Sequence, residues 1–381
     1  MRIAVNTRFL LPGKLEGLGW YTHELLRRMV RQHPSDEFVF LFDRPYDPAF
    51  VYADNVQPQV LFPPARHPVL WYTWFEWAVP RALDRCRADV FFSPDSFLSL
   101  RAHTPTVLTV HDLIPLQHPE QVPWWSRDYY LHFFPRYIRR AAELVSVSTF
   151  TKNAILETVP GVLPEKITVV HNGSREGFRP LVDAEKQAVR AEFSANQAYF
   201  FYTGAIHPRK NIPRLIRAFE VFKNATGAPV KLLLAGRFAW EAGAVRTAVE
   251  HSRHRSDIVF LGYVPEVQLP RLQAAALAAV NVSLSEGFGL PVLEALHCDV
   301  PVLCSNTTAL PEVAGDAALL VNPESEADIA AGLQRLYADV ALREGLVEKG
   351  RQRRSGFDWD RAASAVWAVL ERAAADAGHA M

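Results

Sequence analysis

Two glutamates, Glu286 and Glu294, close the ends of the segment EGFGLPVLE, and their type and spacing point to chemistry more directly than anything else in the chain. SLS before Glu286 ends a strand pattern, and LeuPro at 290–291 reads as the first turn of a helix, where proline's missing N–H is no loss. Gly287 and Gly289 flank Phe288, so the amides of Phe288, Gly289 and Leu290 are expected to point out of the helix start toward hydroxyl or phosphate oxygens. An ionised carboxylate only accepts hydrogen bonds, and two of them beside a cluster of amide donors is the mixture that a polyol requires. The ordinary alternatives are a helix-cap partner for Glu286 and a solvated face for Glu294. Against the second, the helix continues VLEAL, which places Glu294 near apolar surface where a carboxylate needs a partner.

Arg209 and Lys210 follow a strand, YFFYTG, that ends in Gly204, and they precede a helix capped near Asn211 with Pro213 in its first turn. Two cations beside a helix start make a compact diphosphate site, arginine as a planar fork and lysine as a point charge. A solvated charged loop is the competing explanation, and the strand, glycine, loop and helix setting favours function. At the end of the strand TVLTV stand His111 and Asp112. An imidazole there can donate to a ligand hydroxyl, although taken alone it reads as a histidine satisfied by nearby backbone. Gly13, Gly17 and Gly19 precede a helix expected to start near Trp20 and would let backbone amides approach an anion; a plain flexible turn explains this loop equally well. Thr22 stands where a dinucleotide fingerprint needs its third glycine, and no phosphate loop of the GxxxxGK[ST] kind occurs. His251 and His254 lie in a basic surface stretch without thiolate or carboxylate company, so no metal is assigned.

The elements that must position these residues alternate. Strand patterns at 2–7, 37–43, 89–93, 106–110, 144–148 and 166–170 are each followed by a turn and a helical pattern, and a second series runs through 199–204, 230–236, 258–262, 278–283, 300–305 and 317–321. Strands alternating with helices specify parallel α/β sheets, whose ligands bind beyond the carboxyl ends of the strands. The turn-rich text at 174–195 marks the junction. The last stretch is helical, with Trp359, Ala363, Val366, Trp367 and Leu370 as an apolar stripe that must lie against something. Two domains also fit the length, 381 residues. With 49% hydrophobic and 22% charged residues the chain is globular, and 41 basic against 41 acidic residues provide no field for a nucleic-acid backbone. Three scattered cysteines fit a reducing compartment, and MRIAVNTRFLLP lacks the apolar core of a secretory leader. Two aromatic segments, 67–83 and 123–141, mix Trp, Tyr and Phe with arginine; their inner faces are expected to pack on the sheet and their outer residues to meet a lipid-linked acceptor.

GLGWYTHELL, VLTVHDLIPL, VSVSTFTKNAI, KITVVHNGSREGF, YTGAIHPRKNIPRLIRAF, FLGYVPEVQLPRL and EGFGLPVLE with PVLCSNTTALPEVAGDAALLVNP after it occur in this order along nearly the whole chain. Together they resemble the retaining glycosyltransferases of family 4, and Glu286 to Glu294 reproduces that family's Glu-x7-Glu motif. The resemblance implies an α/β, GT-B fold of two Rossmann-like domains with parallel sheets facing across a cleft: 1–175 binding the acceptor, 176–355 binding the nucleotide sugar, and 356–381 a helix packing back toward the N-terminal domain. It also implies roles. Arg209 and Lys210 neutralise the departing diphosphate, Glu286 and the amides after it hold the donor sugar, and Glu294 holds the ribose. His111 lies beside the reaction centre, Gly17 and Gly19 near the phosphates, Gly204 at the donor site, and Gly262, Tyr263 and Val264 against the base.

Asp299 departs from the family's glycine in its Cys/Ala-Gly-x-Pro turn, and Val282 stands where a proline often precedes the serine. No DxD-type ligand pair sits at a strand end, so transfer is expected without metal or other cofactor, and no double-displacement nucleophile is evident, so front-face attack is expected. The expected donor is GDP-mannose, with a GDP-6-deoxyhexose, a UDP-sugar or a dTDP-sugar as alternatives, and the expected partner is a glycan or lipid-linked acceptor. An epimerase of the same fold and a non-catalytic sugar-binding protein are the competing classes. The expected location is the cytoplasm, with peripheral contact at the inner face of a membrane.

Overall fold

The computed structural model describes residues 1–13, 15–238 and 243–379. Its chain divides into two compact units, Met1–Asn172 with Asp358–Met381, and Gly173–Phe357. The segment 174–195, expected as the junction, therefore lies inside the second unit and already carries a helix, Asp183–Ser194.

The first unit holds β1 (Arg2–Asn6), β2 (Glu37–Phe42), β3 (Val56–Val60), β4 (Val90–Ser93), β5 (Thr106–Val110), β6 (Glu143–Ser146) and β7 (Ile167–Val169) in the order β3-β2-β1-β4-β5-β6-β7. Every pairing is parallel. β3, VQPQV, escapes a sequence pattern because Pro58 and two glutamines interrupt it, and it sits at the sheet edge, where a proline costs no ladder bond. The helix Trp359–His379 belongs to this unit. Its whole expected stripe is buried, Trp367 stacking on His33 at 3.5 Å and Trp359 meeting Tyr21 edge-on at 6.0 Å.

The aromatic segments form helices at Pro68–Thr73, Val79–Cys86 and Trp124–Arg140, with a wider turn at Trp74–Ala78. Trp74, Phe75, Phe134 and Tyr137 enter the core, while Val69, Tyr72, Trp77, Trp124 and Trp125 are exposed, Trp124 by 82%. The expected burial of an inner face therefore holds in part of each segment. No described helix is long and apolar enough to cross a membrane.

The second unit holds β8 (Ala198–Thr203), β9 (Val230–Ala235), β10 (Ile258–Gly262), β11 (Ala278–Asn281), β12 (Val302–Ser305) and β13 (Ala318–Val321) in the parallel order β10-β9-β8-β11-β12-β13. Its inner strand residues, Leu232, Leu234, Val280 and Leu303 among them, are buried, as a sheet covered on both faces demands. In both sheets the strand order reverses beside the first strand of the unit, between β1 and β4 and between β8 and β11. Crevices for ligands open at such points.

Candidate active site

The residues after β8 and β11 flank the second unit's point of reversal. Pro208–Lys210 makes a single tight helical turn, and the Arg209 carbonyl accepts from Leu284 N at 2.8 Å, which ties the two loops together. Asn211 takes the position before the helix Ile212–Thr226 but does not cap it with its side chain. Its φ is 61°, and its Nδ2 instead donates to the carbonyls of Val282 at 3.0 Å and Pro323 at 2.7 Å, fixing the loop that carries the two cations.

Arg209 and Lys210 converge on Glu286. Arg209 Nη1 donates to Glu286 Oε2 at 2.7 Å and to the Ser285 carbonyl at 3.1 Å, and Lys210 Nζ pairs with Glu286 Oε1, which also accepts from Ser283 Oγ at 2.7 Å. Glu286 is thus no helix cap; it is buried between two cations. Two positive charges against one negative leave the cluster net positive. Burial alone would raise the Glu286 carboxyl, but Lys210, Arg209 and the Ser283 hydrogen bond outweigh it and hold the group at about 2, below its ordinary 4.5.

A carboxylate depressed on folding contributes stability that is present above 4.5 and lost as pH falls toward 2. We expect the wild type to lose denaturant resistance steadily over that window, and Glu286→Gln to flatten this part of the profile. Equal slopes for the two proteins in urea melts from pH 5 to pH 2 would rule out the pairing in solution.

Glu294 lies on the helix Leu290–His297 and is 1% exposed, so the solvated-face alternative is excluded. Its partner is Arg175, whose Nε donates to Oε1 at 2.6 Å and whose guanidinium also lies over the Phe178 ring at 5.1 Å. Gly289, with φ of 114°, precedes the helix, and a side chain there would meet Leu310 at 2.6 Å. Phe288 is buried and meets Phe357 edge-on at 5.8 Å.

Gly204 follows β8 and Gly262 ends β10, and between them, just after β9, stands Gly236, a residue the sequence did not single out. Gly204 N donates to the Ala235 carbonyl at 2.9 Å and Gly236 N to the Gly262 carbonyl at 2.8 Å, a row of three glycines across neighbouring strand ends. Tyr263, next in line, is 59% exposed.

In the first unit the helix after β1 begins at Gly17 rather than Trp20, so Gly17 and Gly19 lie within its first turn. Gly19 is there for space: a Cβ would stand 2.7 Å from the Phe9 carbonyl oxygen. His111, at the end of β5, places Nε2 at 2.7 Å from the Pro94 carbonyl and its ring edge-on to Tyr21 at 4.7 Å. A carbonyl only accepts, so Nε2 carries a proton, and burial lowers the imidazole pKa from its ordinary 6.5, which favours the neutral ring. Nδ1 is then an acceptor. This reverses the expected polarity: the backbone takes the donor, and a ligand hydroxyl would have to donate to His111.

Asp299 occupies the expected glycine's place with φ of 55°. Its carboxylate meets Arg351 at 2.8 Å and Arg354 at 2.9 Å, contacts that offset the cost of a left-handed aspartate.

Parallel α/β units of this order, each with polar residues at its carboxyl edge and one with a net positive cluster at the point of reversal, have the architecture that a glycosyltransferase of GT-B fold requires of its two halves. Residues 15–174 match the family model Glycosyltransferase Family 4, and residues 183–353 match Glycosyl transferases group 1. The O-antigen chain mannosyltransferase B of Escherichia coli is 33% identical over 272 residues, 71% of each chain. The O-antigen chain mannosyltransferase RfbU of Salmonella typhimurium is 27% identical over 265 residues, 68% of each. The structure of Anabaena Alr3699/HepE in complex with UDP and glucose superimposes with a TM-score of 0.75 at 17% identity, covering 97% of this chain and 99% of that one. The chain belongs to this glycosyltransferase family.

Proposed function

We propose that the protein is a retaining hexosyltransferase that moves a mannosyl group from GDP-mannose to a glycan or lipid-linked oligosaccharide in surface polysaccharide synthesis. The observation that carries this reading is the net positive Arg209, Lys210 and Glu286 cluster at the reversal between β8 and β11. A departing nucleoside diphosphate develops charge as the glycosidic bond breaks, and preorganised cations there stabilise the transition state more than the ground state. Their two charges do the work a divalent ion would do, so no metal is required.

The second unit binds the donor. Glu286 orients the sugar together with the backbone at Gly287, Phe288, Gly289 and Leu290, and Glu294, held by Arg175, takes the ribose. The base extends along the glycine row to Gly262, Tyr263 and Val264; β10 is three strands from β11, a span of about 14 Å at the usual strand spacing. The first unit binds the acceptor, with Gly17 and Gly19 near the phosphates and His111 accepting a sugar hydroxyl through Nδ1. Attack comes from the face the diphosphate leaves, whose oxygen takes the acceptor proton. The exposed outer aromatics of the first unit, Trp124 and Trp125 foremost, support a peripheral contact with the lipid that carries the acceptor.

Calorimetric titration with GDP and UDP, followed by mass analysis of product from GDP-mannose, tests the donor assignment. GDP is expected to bind at least about tenfold more tightly, a difference of about 1.4 kcal/mol. Tighter UDP binding would overturn it.

A further inference from the structure

The first unit repeats the second unit's construction at its own point of reversal. Arg8, just after β1, pairs with Asp95, just after β4, and β1 and β4 are the neighbours at which the strand order turns. The two side chains are 5% and 1% exposed. A buried ion pair is a poor way to gain stability, so what this one holds in place matters more than its strength.

Asp95 organises its own loop. Oδ1 accepts from Phe97 N at 3.2 Å and from Ser93 Oγ at 3.3 Å, while Oδ2 pairs with Arg8 Nε. Arg8 lies over the Phe97 ring at 4.2 Å, and Ser96, with φ of 68°, donates its hydroxyl to the Thr109 carbonyl at 3.0 Å. These bonds fix the turn on both sides of one peptide group. That group is the Pro94 carbonyl, which receives the His111 Nε2 proton at 2.7 Å.

We propose that Asp95, its charge balanced by Arg8, is a positioning residue for His111: its turn holds the Pro94 carbonyl where it keeps the imidazole proton on Nε2 and leaves Nδ1 as an acceptor. This rests on the reading of His111 as a group beside the transferred sugar. If the carbonyl moves away, the neutral ring is free to carry its proton on Nδ1, and a site built to accept from a hydroxyl presents a second donor instead.

The test uses full-length protein labelled with 15N histidine, the His111 signals being assigned by their loss in His111→Gln. Correlation of ring nitrogens with ring protons distinguishes the two tautomers. We expect the Nε2–H form in the wild type and a mixture in Asp95→Ala, with kcat for transfer lowered about a hundredfold and the donor KM unchanged. The uncharged pair Arg8→Met with Asp95→Asn keeps an oxygen for Phe97 N and Ser93 Oγ, and is expected to restore the single tautomer and most of kcat. Should Asp95→Ala fail to fold, Ser96→Ala loosens the same turn by one hydrogen bond and is expected to give a smaller admixture of the second tautomer.

A pure Nε2–H tautomer in the loosened variants overturns the proposal. So does a double variant as slow as Asp95→Ala, because the carboxylate would then act on substrate itself. A tautomer mixture with wild-type kcat upholds the positioning and removes His111 from the reaction instead, a result that His111→Gln would show independently by retaining full activity.

Discussion

Lys210→Ala is expected to slow glycosyl transfer by about a thousandfold, the scale on which a cation aimed at a departing phosphate acts. Lys210 is 7% exposed and its ammonium rests on Glu286, so the substitution does two things. It removes charge from the leaving group, and it leaves Glu286, itself 6% exposed, with Arg209 as its remaining cationic partner. Breaking a buried pair costs up to about 3 to 5 kcal/mol, and here less, since Arg209 stays. A lower melting temperature will therefore accompany the loss of rate and could be mistaken for its cause. The double variant Lys210→Met with Glu286→Gln separates the two: with neither charge present the melting temperature should return toward wild type while kcat stays low. Arg209→Ala, at a side chain 24% exposed, should cost rate with a smaller change in melting. Near-wild-type kcat in folded Lys210→Ala would remove the cation from the mechanism and with it the central support for a diphosphate leaving group.

The parts of this site that were legible in the sequence are those whose signals are local. Apolar runs ending in glycine, aromatic in β8, leucine-rich in β9 and mixed in β10, mark these strands, because buried parallel strands are largely apolar and their exits need unusual backbone. The apolar surroundings of Glu294 predicted that it needs a partner, but not which one: Arg175 is 119 positions away in a turn-rich stretch without strand or helix periodicity. The pairing of Arg209 and Lys210 with Glu286 escapes for the same reason: more than seventy residues separate the cations from the carboxylate, and the sequence assigns the cations to a diphosphate and Glu286 to a sugar. His111 shows a further limit. Its residue type says that it can donate or accept, and only the position of the Pro94 carbonyl decides which nitrogen is left for a ligand. Asp299 is legible as a departure from a pattern, yet its tolerance depends on Arg351 and Arg354, more than fifty residues further on.

Gly236→Ala is expected to be the most damaging single methyl group in the second unit. A Cβ at this position would lie 1.9 Å from the Gly204 carbonyl oxygen and 2.7 Å from its carbon, where carbon contacts normally begin near about 3.5 Å. Both obstacles are backbone, so no rotamer change relieves them; β8 and β9 must part at their carboxyl ends. Gly236 also has φ of 154°, a conformation that a side chain disfavours even in open space. The loss of stability should exceed about 4 kcal/mol, the range reached when strain and overlap combine. Gly262→Ala supplies the comparison: its φ of 65° is also positive, but no atom lies within 4 Å of the added carbon, and the cost should stay near about 1 to 2 kcal/mol. Because Gly236 N holds the Gly262 carbonyl and Gly204 N holds the Ala235 carbonyl, parting these strands also dismantles the floor along which the nucleotide is proposed to lie. Urea melts of the two variants, with GDP titration of whatever remains folded, decide the matter. Equal destabilisation would mean that backbone strain alone governs the glycine row, whereas a large excess for Gly236→Ala places the cause in the close approach of two strand ends that only a missing side chain permits.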